Sequence, residues 1–281
     1  MRYWNIRNSY MRIVLIGAGN LATNLGKALF HAGHEIVQVY SRTEASAKIL
    51  ASVLKCTYTD TLEDVTCNAD IYIVAVKDSA LSGVAESLQK RLVDKLVVHT
   101  AGSIPMDVLP FSRKGVFYPM QTFSKGKEVD FSVIPCFVEA ETEGDVQLLK
   151  KVGLTISDTV YELNSESREY LHLAAVFCGN FANHCFSLGA QLLKQHGNIP
   201  FSVMLPLIDE TAAKLYTMSP CEAQTGPAMR WDTNVMDKHL QLLASTPDWQ
   251  KIYNLMSQSI HCLSNPSCSP NSSFPLTSST S

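Results

Sequence analysis

Over residues 1–160 of this chain, short β-branched runs alternate with amphipathic stretches, a pattern that predicts a parallel sheet with crossover helices. Strands are expected at 12–17, 36–40, 70–76, 95–100, 115–118, 136–139 and around 157–161. Helices fall between them, at about 21–32, 44–54, 79–90 and 143–152. The runs Ile13-Val14-Leu15-Ile16 and Ile71-Tyr72-Ile73-Val74-Ala75-Val76 are apolar on both faces, as strands covered by helices on both sides must be. The expected fold class is α/β, a doubly wound and mostly parallel sheet.

From Asn164 onward the pattern is helical throughout, which predicts an all-α C-terminal domain over 164–264 behind a first domain over 1–163. Asn164 or Ser165 can cap a long helix that carries Glu166 and Glu169 in its first turn. That helix is expected to run to Lys194–His196 and to stop at Gly197, with Pro200 just beyond. Further helices are expected at roughly 201–218, 228–244 and 248–263. On the long helix Leu171, Ala174, Cys178, Phe181, Cys185, Leu188 and Leu192 form a packing seam at spacings of three and four. His172, Val176, Gly179 and Asn183 form a second stripe, so the helix has two faces to cover: one for the bundle, one for the sheet domain or a partner subunit.

Composition narrows the class. Of 281 residues 46% are hydrophobic and 17% charged, enough apolar material for a core and too little charge for a disordered chain. The formal net charge of −3 gives no field suited to a phosphate backbone or an anionic membrane, so nucleic acid and membrane partners are not expected. The longest apolar run, Ile71 to Val76, is far short of the roughly 20 residues that span a bilayer. Residues 1–10 read as a polar leader without the apolar segment of a secretory signal, and Met11 is a second candidate start. The serine-rich, uncharged stretch 265–281 reads as a disordered tail. Eight cysteines without a Cys-x-x-Cys pair predict reduced thiols and no zinc site, in a soluble cytoplasmic protein.

Candidate chemistry begins at Gly17-Ala18-Gly19-Asn20-Leu21-Ala22, which follows the first strand and opens the first helix. Gly17 permits the tight turn and Gly19 removes a side chain where a pyrophosphate must approach. Ala22 keeps the helix close to the sheet, and the helix start, including Asn20 and Leu21, offers unpaired N–H groups to phosphate. The second strand ends in Tyr40-Ser41-Arg42-Thr43 where an NAD enzyme normally carries an acidic residue. The hydroxyls of Ser41 and Thr43 with the Arg42 guanidinium suit a 2′-phosphate, so NADP is the expected cofactor. Val76-Lys77-Asp78 and Thr100-Ala101-Gly102 lie at strand ends that would flank the nicotinamide, although Asp78-Ser79 also reads as a helix cap and Ala101-Gly102 as a plain turn. Tyr118 to Thr122 would close that wall or serve as an ordinary turn.

In the helical half, Thr225-Gly226-Pro227 with Arg230 reads either as an anion site for a substrate carboxylate or as a capped helix whose Arg230 pairs with Asp232 or a neighbouring helix. Glu210 and Lys214 read as an ion pair. His172 and Asn183 read either as structural hydrogen-bonding groups or as parts of an interdomain cleft.

The Gly-Ala-Gly-Asn-Leu-Ala start and the Tyr-Ser-Arg-Thr segment resemble the NADP-binding Rossmann domain shared by pyrroline-5-carboxylate reductases and deazaflavin-dependent NADP reductases. From Met11 to Leu263 the chain resembles a bacterial family known as a Rossmann-like domain followed by a C-terminal domain of unknown function. The strings that carry this are His99 to Ser103, Tyr118 to Thr122, Leu171 to Phe177 with Asn180, Asn183 and His184, and Gln224 to Arg230. The resemblance implies a homodimer formed through the helical domain. Two departures stand out. The Ser-Pro-Gly-Gly-Thr-Thr segment of pyrroline-5-carboxylate reductases is replaced by Thr225-Gly226-Pro227, and Gly179 stands where β-hydroxyacid dehydrogenases have their catalytic lysine, four residues before Asn183. The expected activity is NADP-dependent reduction of a carbonyl or imine on a small carboxylate-bearing molecule. His172 would donate the proton, Asn180 and Asn183 would orient the substrate, and Arg230 would hold its carboxylate. The alternative is an NADP-binding sensor that catalyses nothing.

Overall fold

The computed structural model describes residues 10–124 and 126–265. Apart from Tyr10 and Asn265, the expected leader and tail lie outside them. Eight strands form one sheet in the order β3-β2-β1-β4-β5-β6-β7-β8. They are β1 (Arg12–Ile16), β2 (Glu35–Tyr40), β3 (Thr57–Thr59), β4 (Ile71–Val74), β5 (Leu96–His99), β6 (Arg113–Pro119), β7 (Cys136–Ala140) and β8 (Val160–Glu162). Helices α1 (Asn20–His31), α2 (Glu44–Leu54), α3 (Asp78–Leu88) and α4 (Glu143–Gly153) make the crossovers. Alternation along β1 shows how both faces are covered. Ile13 and Leu15 enter a core with Leu25 and Leu29 of α1, whereas Val14 and Ile16 enter the opposite core with Leu81, Ala85 and Leu88 of α3.

Strands β1 to β6 are mutually parallel, and β7 runs antiparallel to β6. The reason is local: the described residues of 120–135 contain only a 3-10 turn, Phe131–Val133, and no crossover helix among them returns the chain to the starting edge. From β7 the chain crosses through α4 to β8, and that pair is parallel again. The three-residue β3 was not among the expected strands; it pairs Thr57–Thr59 with Gln38–Tyr40.

Asn164 caps the long helix by accepting from the Ser167 amide. The helix continues over 165–195 as α5 (Ser165–Ala175), a π-helical turn Val176–Phe181, and α6 (Ala182–Gln195). It ends before Gly197, which takes a φ of +133°, as the glycine stop signal predicts. The expected packing seam is corrected. Ala174, Cys178 and Phe181 are exposed and the π-turn interrupts their spacing, so the seam is not a buried line in this chain.

By its own contacts the chain divides into two compact units, Met1–Phe186 and Ser187–Ser281, so the greater part of the long helix belongs with the sheet, beyond the composition change at Asn164. In the second unit the stretch expected as one helix over 201–218 is three pieces: 3-10 turns Phe201–Met204 and Lys214–Tyr216 around α7 (Leu205–Ala213). Glu210 and Lys214 pair at 3.8 Å, as their spacing predicts. A turn, α8 (Pro220–Ala223), follows, closed by a capping box between Ser219 and Glu222. The helix expected over 228–244 is broken at Trp231, which has a φ of +53°. Asp232 then accepts from the Val235 amide and starts a new helix, so α9 (Pro227–Arg230) and α10 (Thr233–Leu242) are separate. The last helix, α11 (Pro247–Ser264), packs against α9. No helix among the described residues is long and apolar enough to cross a membrane.

Candidate active site

The C-terminal ends of the parallel strands carry the candidate residues, on either side of the point where the order turns from β1 to β4. Gly17 has a φ of +128°, and a Cβ there would stand 2.3 Å from the Ala75 carbonyl oxygen. The turn is therefore closed to any side chain. Gly19 is the opposite case: a Cβ would meet nothing within 4 Å, so the residue faces open space. Helix α1 starts there with no side-chain cap and no acidic residue in its first turn. Its uncapped amides suit the pyrophosphate of a dinucleotide. The Leu21 side chain packs on the hydrophobic core, so its ligand-facing group is the amide. The Asn20 side chain donates to the Phe123 carbonyl at 3.0 Å, and Asn24 donates to that of Ser124 at 3.2 Å, tying the loop after β6 to this helix start.

At the end of β2, Ser41 is half-buried and Arg42 and Thr43 are exposed. The Arg42 guanidinium makes no ion pair among the described residues, which leaves it available to a phosphate. The segment itself carries no carboxylate, but two from elsewhere in the chain act on this corner. Burial raises the pKa of the neighbouring Tyr40 hydroxyl; Arg42 opposes this, while Glu63 and Asp60 add to it, so two carboxylates stand within electrostatic reach. They escaped the sequence because β3, which brings Asp60 beside β2, is too short to show a pattern.

On the other side of the switch point, Thr100 is buried and its amide donates to the Val74 carbonyl. Val76 is half-buried, and Lys77 is exposed as the N-cap of α3. Asp78 does not cap that helix but accepts from the Ser103 hydroxyl at 3.1 Å. His99, fully buried at the end of β5, accepts the Ala101 amide on Nδ1 at 3.1 Å, which leaves the proton on Nε2. Burial lowers its pKa to about 4, helped by the charge of Arg168 and opposed by a backbone contact to Pro105.

A buried neutral histidine makes the fold acid-sensitive. In the unfolded chain His99 takes a proton below its ordinary 6.5, and in the folded protein only near 4. Its contribution is thus complete above pH 6.5 and lost progressively as the pH falls toward 4, by about 3 kcal/mol. His34, also lowered by burial, adds in the same direction. Urea unfolding at pH 7 and pH 5 should show this loss above the carboxylate range, and His99→Gln should flatten the slope; an unchanged slope would refute it.

The residue group that the structure assembles is Gly102, Tyr118 and His172. Tyr118 is a buried residue of β6, and its hydroxyl lies 3.3 Å from His172 Nδ1. The two rings meet edge to face, with centroids 6.2 Å apart at 64°. A Cβ on Gly102 would lie 2.5 Å from His172 Nδ1 and 2.9 Å from Tyr118 Cζ, so the imidazole rests on bare backbone. Burial raises the Tyr118 pKa above 10.0, opposed by Arg168, so its hydroxyl stays protonated. It can donate to a neutral His172, which puts the imidazole proton on Nε2, or accept from a protonated one, and so holds the ring in both states.

Of the stripe expected to meet the sheet domain or a partner subunit, His172 and Gly179 lie against the loops at the sheet's edge. His172 sits on Gly102, and a Cβ on Gly179 would come within 3.9 Å of Thr122. Asn180 and Asn183 lie on exposed helix surface, on the order of 10–16 Å beyond His172 along the axis, too far to serve the same reacting atom. Arg230 belongs to the second unit, where it is exposed and pairs with neither Asp232 nor any other described carboxylate. The four-residue helix it ends is too short to form an anion site by itself, and its N-cap is Gly226, not Thr225. Tyr118, here given a specific partner, appeared in the sequence only as part of a wall.

Strand order, glycine turn and crossovers together define a Rossmann-like α/β protein, and comparison with known proteins agrees. A model described as a Rossmann-like domain matches residues 2–121, and one described as a domain of unknown function, DUF2520, matches 134–260. A Bacteroides fragilis protein, BF3122, named provisionally as an NADP oxidoreductase, is 53% identical, with a TM-score of 0.84 over 90% of this chain and 98% of its own. The chain belongs to the family in which a Rossmann-like domain is followed by a DUF2520 domain. Two more distant structures share the fold. An imine reductase from Myxococcus stipitatus in complex with NADP+ is 16% identical, with a TM-score of 0.63 over 90% of this chain and 92% of its own. A 1-pyrroline-5-carboxylate reductase from Streptococcus pyogenes is 15% identical, with a TM-score of 0.60 over 90% and 99%. No protein of curated function matches the chain.

Proposed function

We propose that the chain is an NADP-dependent oxidoreductase that reduces a carbonyl or imine of a small molecule, with His172 as proton donor. The observation that carries this reading is the His172–Tyr118 pair seated on Gly102, at the C-terminal edge of the sheet and across the switch point from the glycine turn. NADPH, when bound, would supply the hydride. The chain's own residues do the rest. The α1 amides and Gly19 would bind the pyrophosphate, and Ser41, Arg42 and Thr43 the 2′-phosphate. Val76, Lys77, Thr100 and Ala101 would border the nicotinamide half. His172, protonated on both ring nitrogens, would give its Nε2 proton to the oxygen or nitrogen that gains negative character as its carbon is reduced, and would keep the Nδ1 proton, which it donates to the Tyr118 hydroxyl.

Calorimetric titration with NADPH and NADH, followed by a carbonyl and imine panel read by nicotinamide absorbance, tests the proposal. NADPH is expected to bind at least about tenfold more tightly than NADH, and Arg42→Ala should abolish most of that preference. Equal binding of the two would overturn the NADP assignment. Tight binding without turnover on any substrate would favour a sensor.

We further propose a homodimer through the helical part. Tyr170, Leu173, Phe177 and Phe181 are each at least half exposed on the long helix, and the second unit exposes Leu207, Tyr216 and Leu263. Apolar exposure of this extent marks an interaction surface. Sedimentation of the purified chain should give twice the monomer mass; a monomer at micromolar concentration would end the proposal.

A further inference from the structure

Arg168 is the largest fully buried side chain of the described residues, yet its surroundings in sequence, Ser165-Glu166-Ser167-Arg168-Glu169, look like a solvated helix start. Its guanidinium forms an ion pair with Glu139 of β7. Its Nη2 also donates to the Ile104 carbonyl at 2.6 Å and to the Ser165 hydroxyl at 3.1 Å. Glu139 in turn accepts from the Ser165 amide and hydroxyl, at 2.9 and 2.8 Å, and the same hydroxyl accepts the Met106 amide at 2.9 Å. One polar cluster therefore joins β7, the first turn of the long helix, and the loop after β5.

We propose that Arg168 is a positioning residue for His172, because its single guanidinium holds both the helix turn that carries the imidazole and the loop that seats it. The inference rests on the reading of His172 as proton donor. Arg168 and His172 are four residues apart and share a helix face. Ile104, which Arg168 holds by its carbonyl, lies two residues after Gly102, on which the His172 ring rests. A shift of either element would open the Tyr118 hydrogen bond, and with it the choice of tautomer. Stability alone is a weak reason for such a cluster, since apolar side chains of similar volume often replace a buried ion pair at no loss. Arg168 Nε also has no protein acceptor among the described residues. What the planar fork adds over an apolar contact is fixed rotation and register.

The test uses full-length protein, 15N-labelled at histidine, over a pH series raised until the His172 signals stop moving. The wild type should show His172 as a single tautomer protonated on Nε2. Arg168→Lys keeps the charge beside Glu139, and the fold with it, but cannot span both acceptors. Arg168→Met combined with Glu139→Gln removes both charges together. In each variant the His172 signals should move toward a tautomer mixture, while the thermal midpoint of the double variant stays near the wild type. On a substrate that is turned over, kcat should fall about 10- to 100-fold with the KM for NADPH within about twofold. A single Nε2–H tautomer retained in both variants, or a wild type protonated on Nδ1, would overturn the proposal. The tautomer is read without turnover, so a protein that reduced nothing would remove the reductase reading and leave this result standing.

Discussion

Alanine at Gly102 is expected to lower turnover by about two orders of magnitude while changing NADPH affinity by no more than about threefold. The added methyl group would lie 2.5 Å from His172 Nδ1, 2.9 Å from its Cγ and 2.9 Å from Tyr118 Cζ, so one ring must leave its place. Tyr118 is a buried strand residue with neighbours on both sides, whereas His172 is half-buried on a helix surface. The imidazole is the group that yields. Its separation from the Tyr118 hydroxyl, 3.3 Å in the native protein, should then exceed hydrogen-bonding range. Parallel measurement of kcat and of cofactor affinity separates this from damage to the cofactor site. Equal losses in both would show that Gly102 serves the cofactor and does not seat a proton donor.

Gly17→Ala should be the most damaging single substitution on the cofactor side. Its φ of +128° is strained for any residue with a side chain, and the methyl group would meet backbone, the Ala75 oxygen at 2.3 Å and its carbonyl carbon at 2.8 Å. Strands β1 and β4 pair directly, so neither can retreat without breaking their ladder. A stability loss on the order of 3 to 5 kcal/mol is expected, with NADPH binding weakened at least about 100-fold. Gly19→Ala is the control, because a methyl group there meets no protein atom. It should leave the melting midpoint almost unchanged and weaken NADPH alone. If Gly17→Ala melted like the wild type, the close approach to β4 would be refuted.

What the sequence made legible is whatever depends on local order. Ile13 to Ile16 and the glycines after them announce strand, turn and helix within a dozen residues, and Asn164 and Gly197 mark the ends of the long helix by their own chemistry. The direction of β7 was not legible, because nothing in residues 120–135 says that the chain returns beside β6 rather than crossing over. The site was half legible. His172 stood out by its helical stripe, but Tyr118 lies 54 residues away and reads as an ordinary aromatic strand residue. Arg168 was invisible for a similar reason. Its burial is created by Glu139, 29 residues upstream, and by Ile104, 64 residues upstream, and no periodicity distinguishes it from a solvated cation. The carboxylates of Asp60 and Glu63 reached the cofactor corner through β3, a strand too short to be predicted.

The π-turn Val176–Phe181 lets the long helix carry one amino acid that a uniform α-helix of the same length and phase would not hold. A turn closed by i→i+5 bonds holds one residue more than the α-helix can place. Excising one residue there would restore uniform α geometry and leave the side chains of Ala182–Gln195 close to their present phase relative to Ser165–Ala175. The turn therefore absorbs a change of one residue in length without rotating the helix that follows it.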